Sequence, residues 1–135
     1  MKHLAIPFQD SIELTFDNRT RKKSLVCELA STEIEIFQSL CYRNAKDFKT
    51  PLVLLFKNPL IQSLSMIGYK FDVEQIFVNI ETGVVNKIYT IYKSKQSGLF
   101  IQGYSEFSMV ILAPVGFCNK YSIEILKTKI NAHSK

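Results

Sequence analysis

The sequence predicts a mainly β protein, a sandwich or partly open barrel with one short α-helix at about 32–43. Three observations carry this. Short runs rich in Val, Ile, Tyr and Phe recur with turn signals between them, as strands do. The strongest of these stretches, 64–92, reads as two apolar strands joined by a tight turn at Glu81-Thr82-Gly83. Only one stretch, 32–43, spaces its apolar residues convincingly as a helix does.

In chain order, residues 1–10 read as a loosely held arm. Ile12, Leu14 and Phe16 alternate with Glu13 and Thr15, which makes a first strand. Asp17-Asn18-Arg19-Thr20 is turn chemistry, because Asp and Asn satisfy their own backbone in turns. Leu25, Cys27 and Leu29 mark a second strand. Thr32-Glu33-Ile34-Glu35 fits a capping box, in which Thr32 and Glu35 satisfy backbone N–H groups reciprocally. Ile34, Phe37 and Cys41 then recur at helical spacing, with Ile36 and Leu40 beside them. After a polar loop, Pro51 opens an apolar run, Leu52 to Phe56, read as strand. Asn58 caps a possible helical turn begun by Pro59.

Within the central hairpin, Ile76, Val78 and Ile80 fall on one face and Gln75 and Asn79 on the other. Gly83 takes a positive φ at little steric cost, as a tight reversal needs. Val85, Tyr89 and Ile91 share one face of the second strand and Ile88 and Tyr92 the other, which predicts a central strand covered on both sides. Residues 93–98 connect to a further strand pair, 99–104 and 107–113, closed by Pro114-Val115-Gly116. A short turn at 117–121 leads to a last strand, 122–130, and a loose polar tail, 131–135.

A chain of 135 residues, 47% hydrophobic, builds one domain with a real core. No run approaches the ~18 apolar residues of a membrane helix. The opening segment, broken by Pro7, does not resemble a signal peptide, so the expected location is the cytoplasm. Three distant cysteines, Cys27, Cys41 and Cys118, suit reduced thiols better than a disulfide framework. Lys and Arg total 17 against 12 Asp and Glu, a net +5 that permits an acidic partner without requiring one.

Two stretches carry a family pattern. LASTEIEIFQSLCYR, residues 29–43, places Ala30, Thr32, Glu35, Leu40, Tyr42 and Arg43 in the order of I-A-D-T-P-E-E-R-A-x-G-L-M-[FY]-R. Residues 64–85 place Met66, Phe77, Gly83 and Val85 in a second motif, with PLVLLF before it and SMVILAPVGFCNKYSIEILKTKI after it. In this the chain resembles the family called domain of unknown function 192, small mainly β proteins of bacteria and archaea. The resemblance spans about residues 25–130 and implies an antiparallel, jelly-roll-like sandwich with one helix across it. Where the family has W-M-K-N-T, this chain has Ser65-Met66-Ile67-Gly68-Tyr69, and Val73-Glu74 replaces L-D. Any ligand site formed by those polar groups is therefore altered here.

Among single residues, Arg43 is the leading candidate, since a guanidinium holds a carboxylate or phosphate bidentately. Its structural alternative is a cation at a helix C-terminus. Asp72 and Glu74, two apart on a strand, could pair for acid–base work or simply mark a solvated strand end. Met66 and Tyr69 complete a ligand-binding set of Arg43, Met66, Tyr69, Asp72 and Glu74. Cys41 and Cys118 lack a nearby base, because His3 and His133 fall in the expected tails. No metal-ligand spacing occurs, and the five glycines do not cluster into a phosphate loop, so no metal or cofactor is expected. Arg19, Arg21, Lys22 and Lys23 could contact nucleic acid or form a solvated turn.

The function expected from these residues is a non-catalytic binding or structural module, monomeric or weakly dimeric. Its small-molecule or peptide cleft would lie between Arg43 and the loop 66–71. The alternatives are an enzyme using Arg43 with Asp72 or Glu74, and a weak nucleic-acid binder using the 19–23 turn.

Overall fold

The structure is a computed structural model that describes residues 10–19, 21–31, 44–55, 63–65, 70–79, 81–92, 100–102 and 109–134. The expected helix at 32–43, the capped turn at Asn58 and residues 1–9 of the expected arm lie outside the described residues, while the last arm residue, Asp10, accepts the Leu29 N–H at 3.0 Å.

Nine strands are described: β1 (Ser11–Asp17), β2 (Lys22–Ala30), β3 (Leu52–Leu55), β4 (Ser63–Ser65), β5 (Val73–Val78), β6 (Val85–Ile91), β7 (Phe100–Gln102), β8 (Met109–Pro114) and β9 (Lys129–Ser134). One short helix, α1 (Phe117–Lys120), follows β8. Seven strands form one sheet in the order β6-β5-β8-β3-β2-β1-β9, and β4 pairs with β7. The mainly β class is as the sequence predicts. All pairs in the large sheet are antiparallel except β2 with β3, which run parallel, so the sheet is mixed. A parallel pair needs a long crossover, and residues 31–51 supply its length.

Both faces of the sheet's centre are buried. Leu52, Leu54, Val73, Phe77, Val110 and Leu112 point to one core, closed over by Phe48 and Phe71. Val53, Ile76, Val78, Met109 and Ile111 point to a second core, which also holds Leu14, Phe16, Phe117 and Ile130. Alternation along β3, β5 and β8 divides the two sets, as the pleat requires.

Of the stretch 64–92 expected as a hairpin, Val73–Val78 and Val85–Ile91 form it, with the turn at the expected residues, whereas Leu64 and Ser65 belong to the separate strand β4, paired with β7. Gly83 has φ +77°, and its N–H donates to the Asn79 carbonyl at 2.7 Å. Asn79 Oδ1 also accepts from the N–H of Glu81 at 2.9 Å. The second strand is not the central one the sequence predicts. β5 is the strand buried along its whole length, whereas β6 is an edge, with Tyr89 and Thr90 exposed. A β-bulge explains the misleading pattern. Phe77 faces Lys87 but Val78 faces Val85, so Val85 and Ile88 both reach the second core while Ile91 reaches the first.

Three other expectations are corrected. β7 and β8 do not pair; β7 lies on β4, and β8 sits between β5 and β3. The last strand is not 122–130. Ser122 and Leu126 have positive φ, at 55° and 65°, which an extended strand cannot contain. Residues 122–128 instead fold around Thr128, whose hydroxyl accepts the Glu124 N–H at 2.8 Å and donates to Asn18 Oδ1 at 2.6 Å. Nor are residues 131–134 a loose tail, for they belong to β9 and pair with β1 up to Ile12↔Ser134.

The sheet curls until its edges meet at one point. Val84 bridges to Lys129, the Ile130 N–H donates to the Gly83 carbonyl, and the Leu126 N–H donates to the Val85 carbonyl, both at 2.7 Å. The result is a partly open barrel around the second core.

Candidate functional site

The expected cleft draws on two segments, one leading into β3 and one leading into β5. In the first, Asn44 is extended and Ala45–Asp47 makes a single 3-10 turn, closed by the Asp47 N–H on the Asn44 carbonyl at 3.0 Å. This turn delivers Phe48 onto the first core. In the second, Phe71 arrives at the same place. The two rings stack with centroids 5.1 Å apart and planes 28° apart, and both are buried. Offset stacking of this kind holds the segments together beyond area burial alone. Lys46, Asp47 and Lys49 on one segment and Lys70 and Asp72 on the other are exposed.

Arg43, Met66 and Tyr69 lie outside the described residues. Their chain neighbours do converge: Phe48 follows Arg43 by five positions, and Phe71 follows Tyr69 by two. The carboxylate pair separates. Asp72 precedes β5 and is exposed, while Glu74 is on the strand and only 8% exposed.

Glu74 has a structural task. Its Oε2 accepts the Gly116 N–H at 3.0 Å and its Oε1 the Cys118 N–H at 2.9 Å. The carboxylate thereby satisfies two backbone donors at the start of α1, where negative charge is favoured. Both oxygens are engaged in this buried cap. A sequence signal for it existed: Glu74 shares its face of the strand with Ile76 and Val78, so it had to point into the core.

The described thiols are held protonated. Burial, then the charge of Glu28, pushes the Cys27 thiol up from 9.0 to about 12. Burial, then the hydrogen bond and charge of Glu74, raises the Cys118 thiol well above its ordinary value. Neither supplies a thiolate nucleophile near neutral pH. His133 is not in a tail but in β9, opposite Glu13. Among the described residues, no three His, Cys, Asp or Glu side chains are grouped to hold a metal ion, and no helix is long and apolar enough to cross a membrane.

The basic stretch 19–23 is only partly a turn. Arg19 has φ +74° and its N–H donates to Asp17 Oδ1 at 3.0 Å, whereas Lys22 and Lys23 are in β2. Asn18 ties this turn to the loop after α1 through its Nδ2, which donates to the Tyr121 carbonyl at 2.9 Å. The ammonium groups of Lys23 and Lys120 lie 5.6 and 5.7 Å from the Tyr121 ring centre. That ring also packs against Phe16 and Phe117. The sequence joined these basic residues by their nearness along the chain; their link to Tyr121 is a property of the fold.

No family model matches the chain. No curated protein matches it either. Solved structures do. A candidate transcription regulator from Sinorhizobium meliloti superposes with a TM-score of 0.72 at 16% identity, over 94% of this chain and 96% of its own. A protein of unknown function from Novosphingobium aromaticivorans gives a TM-score of 0.73 at 16% identity, over 96% and 97%. The chain shares their fold along nearly its whole length.

Proposed function

We propose that this chain is a member of the domain of unknown function 192 family, acting as a non-catalytic binding module for a small carboxylate-bearing molecule or peptide. In this reading Arg43 holds the carboxylate bidentately, Met66 and Tyr69 line the apolar wall, and Asp72 sits at the rim. The observation that carries it is the Phe48–Phe71 stack, which fixes the chain just after Arg43 beside the chain just after Tyr69. Glu74 drops out of the ligand set because both its oxygens cap α1, and the acid–base alternative loses its buried carboxylate with it. Two free thiols, Cys27 and Cys118, support a reducing compartment.

The test is a thermal-shift screen of small carboxylates, sugars and short peptides on the native chain and on Arg43→Ala. A carboxylate or peptide at about a hundred times its Kd should stabilise the native protein by about 2.7 kcal/mol and the variant far less. No stabilising compound, or equal shifts in both proteins, would reject the cleft.

A further inference from the structure

We propose that the loop 122–128, together with the β1–β2 turn, is a docking surface for an anionic lipid membrane. Ile125 and Leu126 are 45% and 70% exposed, the latter the most exposed large hydrophobic side chain described. Leu126 holds φ +65°, a backbone region that a bulky side chain rarely adopts. The loop is nevertheless well fastened. The Leu126 N–H donates to the Val85 carbonyl at 2.7 Å, the Thr128 N–H to the Glu124 carbonyl at 3.0 Å, and the Thr128 hydroxyl to Asn18. An aliphatic pair is thus presented outward by a rigid, strained support, the kind of arrangement from which a function is inferred.

Charge surrounds it. The described residues of segments 17–23, 79–84 and 116–129 meet at this end of the barrel, through Asn18 with Tyr121 and Thr128, and through Val84 with Lys129. They carry seven of the chain's 17 basic residues and three of its 12 acidic ones, an excess of four out of the total +5. The acidic residues are Asp17, Glu81 and Glu124, of which Glu124 faces Lys127 at 4.0 Å. Basic groups around exposed aliphatic side chains match a surface of anionic headgroups over acyl chains, where apolar insertion and electrostatic attraction add. Nucleic acid fits less well. Single strands bind by stacking bases on open aromatic rings, and Tyr121 here is packed on Phe16 and Phe117 beneath two lysines.

The experiment is co-sedimentation of the full chain with vesicles of phosphatidylcholine containing phosphatidylserine, against phosphatidylcholine alone, in low and in high salt. Binding should require phosphatidylserine and fall in high salt. Leu126→Gly should weaken it about tenfold, the loss of one inserted aliphatic side chain. Glycine accepts the backbone at this position, so the variant should unfold no earlier than the native chain; Leu126→Asn, which also tolerates it, is the second variant. Equal binding to both vesicle types, undiminished binding by both variants, or retention of a single-stranded oligonucleotide without vesicle binding would each overturn the proposal.

Discussion

Glu74 satisfies two backbone N–H groups with one buried carboxylate, so its removal leaves both donors without their acceptor. Glu74→Ala should lower the unfolding free energy by about 2–4 kcal/mol, measured by urea denaturation. Glu74→Gln retains one acceptor oxygen and should cost about half as much. Cys27 makes a prediction in pH. In the unfolded chain its thiol loses the proton near 9.0, whereas in the folded protein it keeps it to about 12. Across that window the unfolded state binds fewer protons, so stability is complete below the lower value and declines as pH rises toward the upper one. The contribution of Cys27 should fall by about 1 kcal/mol between about pH 8 and about pH 10. The urea midpoint of Cys27→Ala should change correspondingly less over the same range.

At the scale of elements, the β5–β6 turn depends on Gly83. Its φ is +77°, and a Cβ there would stand 2.9 Å from Asn131 Oδ1 and 3.1 Å from the Ile130 carbonyl oxygen. Gly83→Ala should therefore cost about 1–3 kcal/mol, by strain and by loosening the hold on β9; a thermal melt would show it. This turn was legible in the sequence because Glu-Thr-Gly is local chemistry between two apolar runs. The bulge opposite Phe77 was not, since it is defined by which residues of two strands face each other. Without it, the apolar residues of β6 looked like two buried faces on one central strand. The end of the chain misled in a similar way. Ile123, Ile125 and the residues around them alternate as a strand would, but the Thr128 hydroxyl and the carbonyl of Glu124 gather them into a loop. Asn18 completes that loop from 110 positions away, and no local pattern contains such a partner.

For the whole molecule, class was readable and arrangement was not. Val, Ile and Phe at alternate positions announce strands, and the two cores on opposite faces of β3, β5 and β8 follow from that alternation. Strand order is a matter of long-range pairing. The clue to the parallel β2–β3 pair lies in the helix expected between two strands, the usual form of a crossover, and the antiparallel sandwich that the resemblance implies does not contain such a pair. The candidate cleft was legible only as converging segments, which the Phe48–Phe71 contact joins. The exposed loop 122–128 could not be foreseen, because the outward placement of Leu126 depends on contacts with Val85 and Asn18 from elsewhere in the chain.

The pairing of β1 with β9 has a kinetic consequence. Asp17 meets Lys129, 112 positions later, and the core side chains Phe16 and Leu14 lie between the two flanking strands. A chain that must close so large a loop before its barrel is whole searches slowly, because the entropy of closure is lost before the contacts repay it. Until β9 docks, one side of β1 presents bare amides and carbonyls, able to recruit a strand from a neighbouring molecule. Refolding at high concentration should thus compete with clumping, and dilution should rescue the yield.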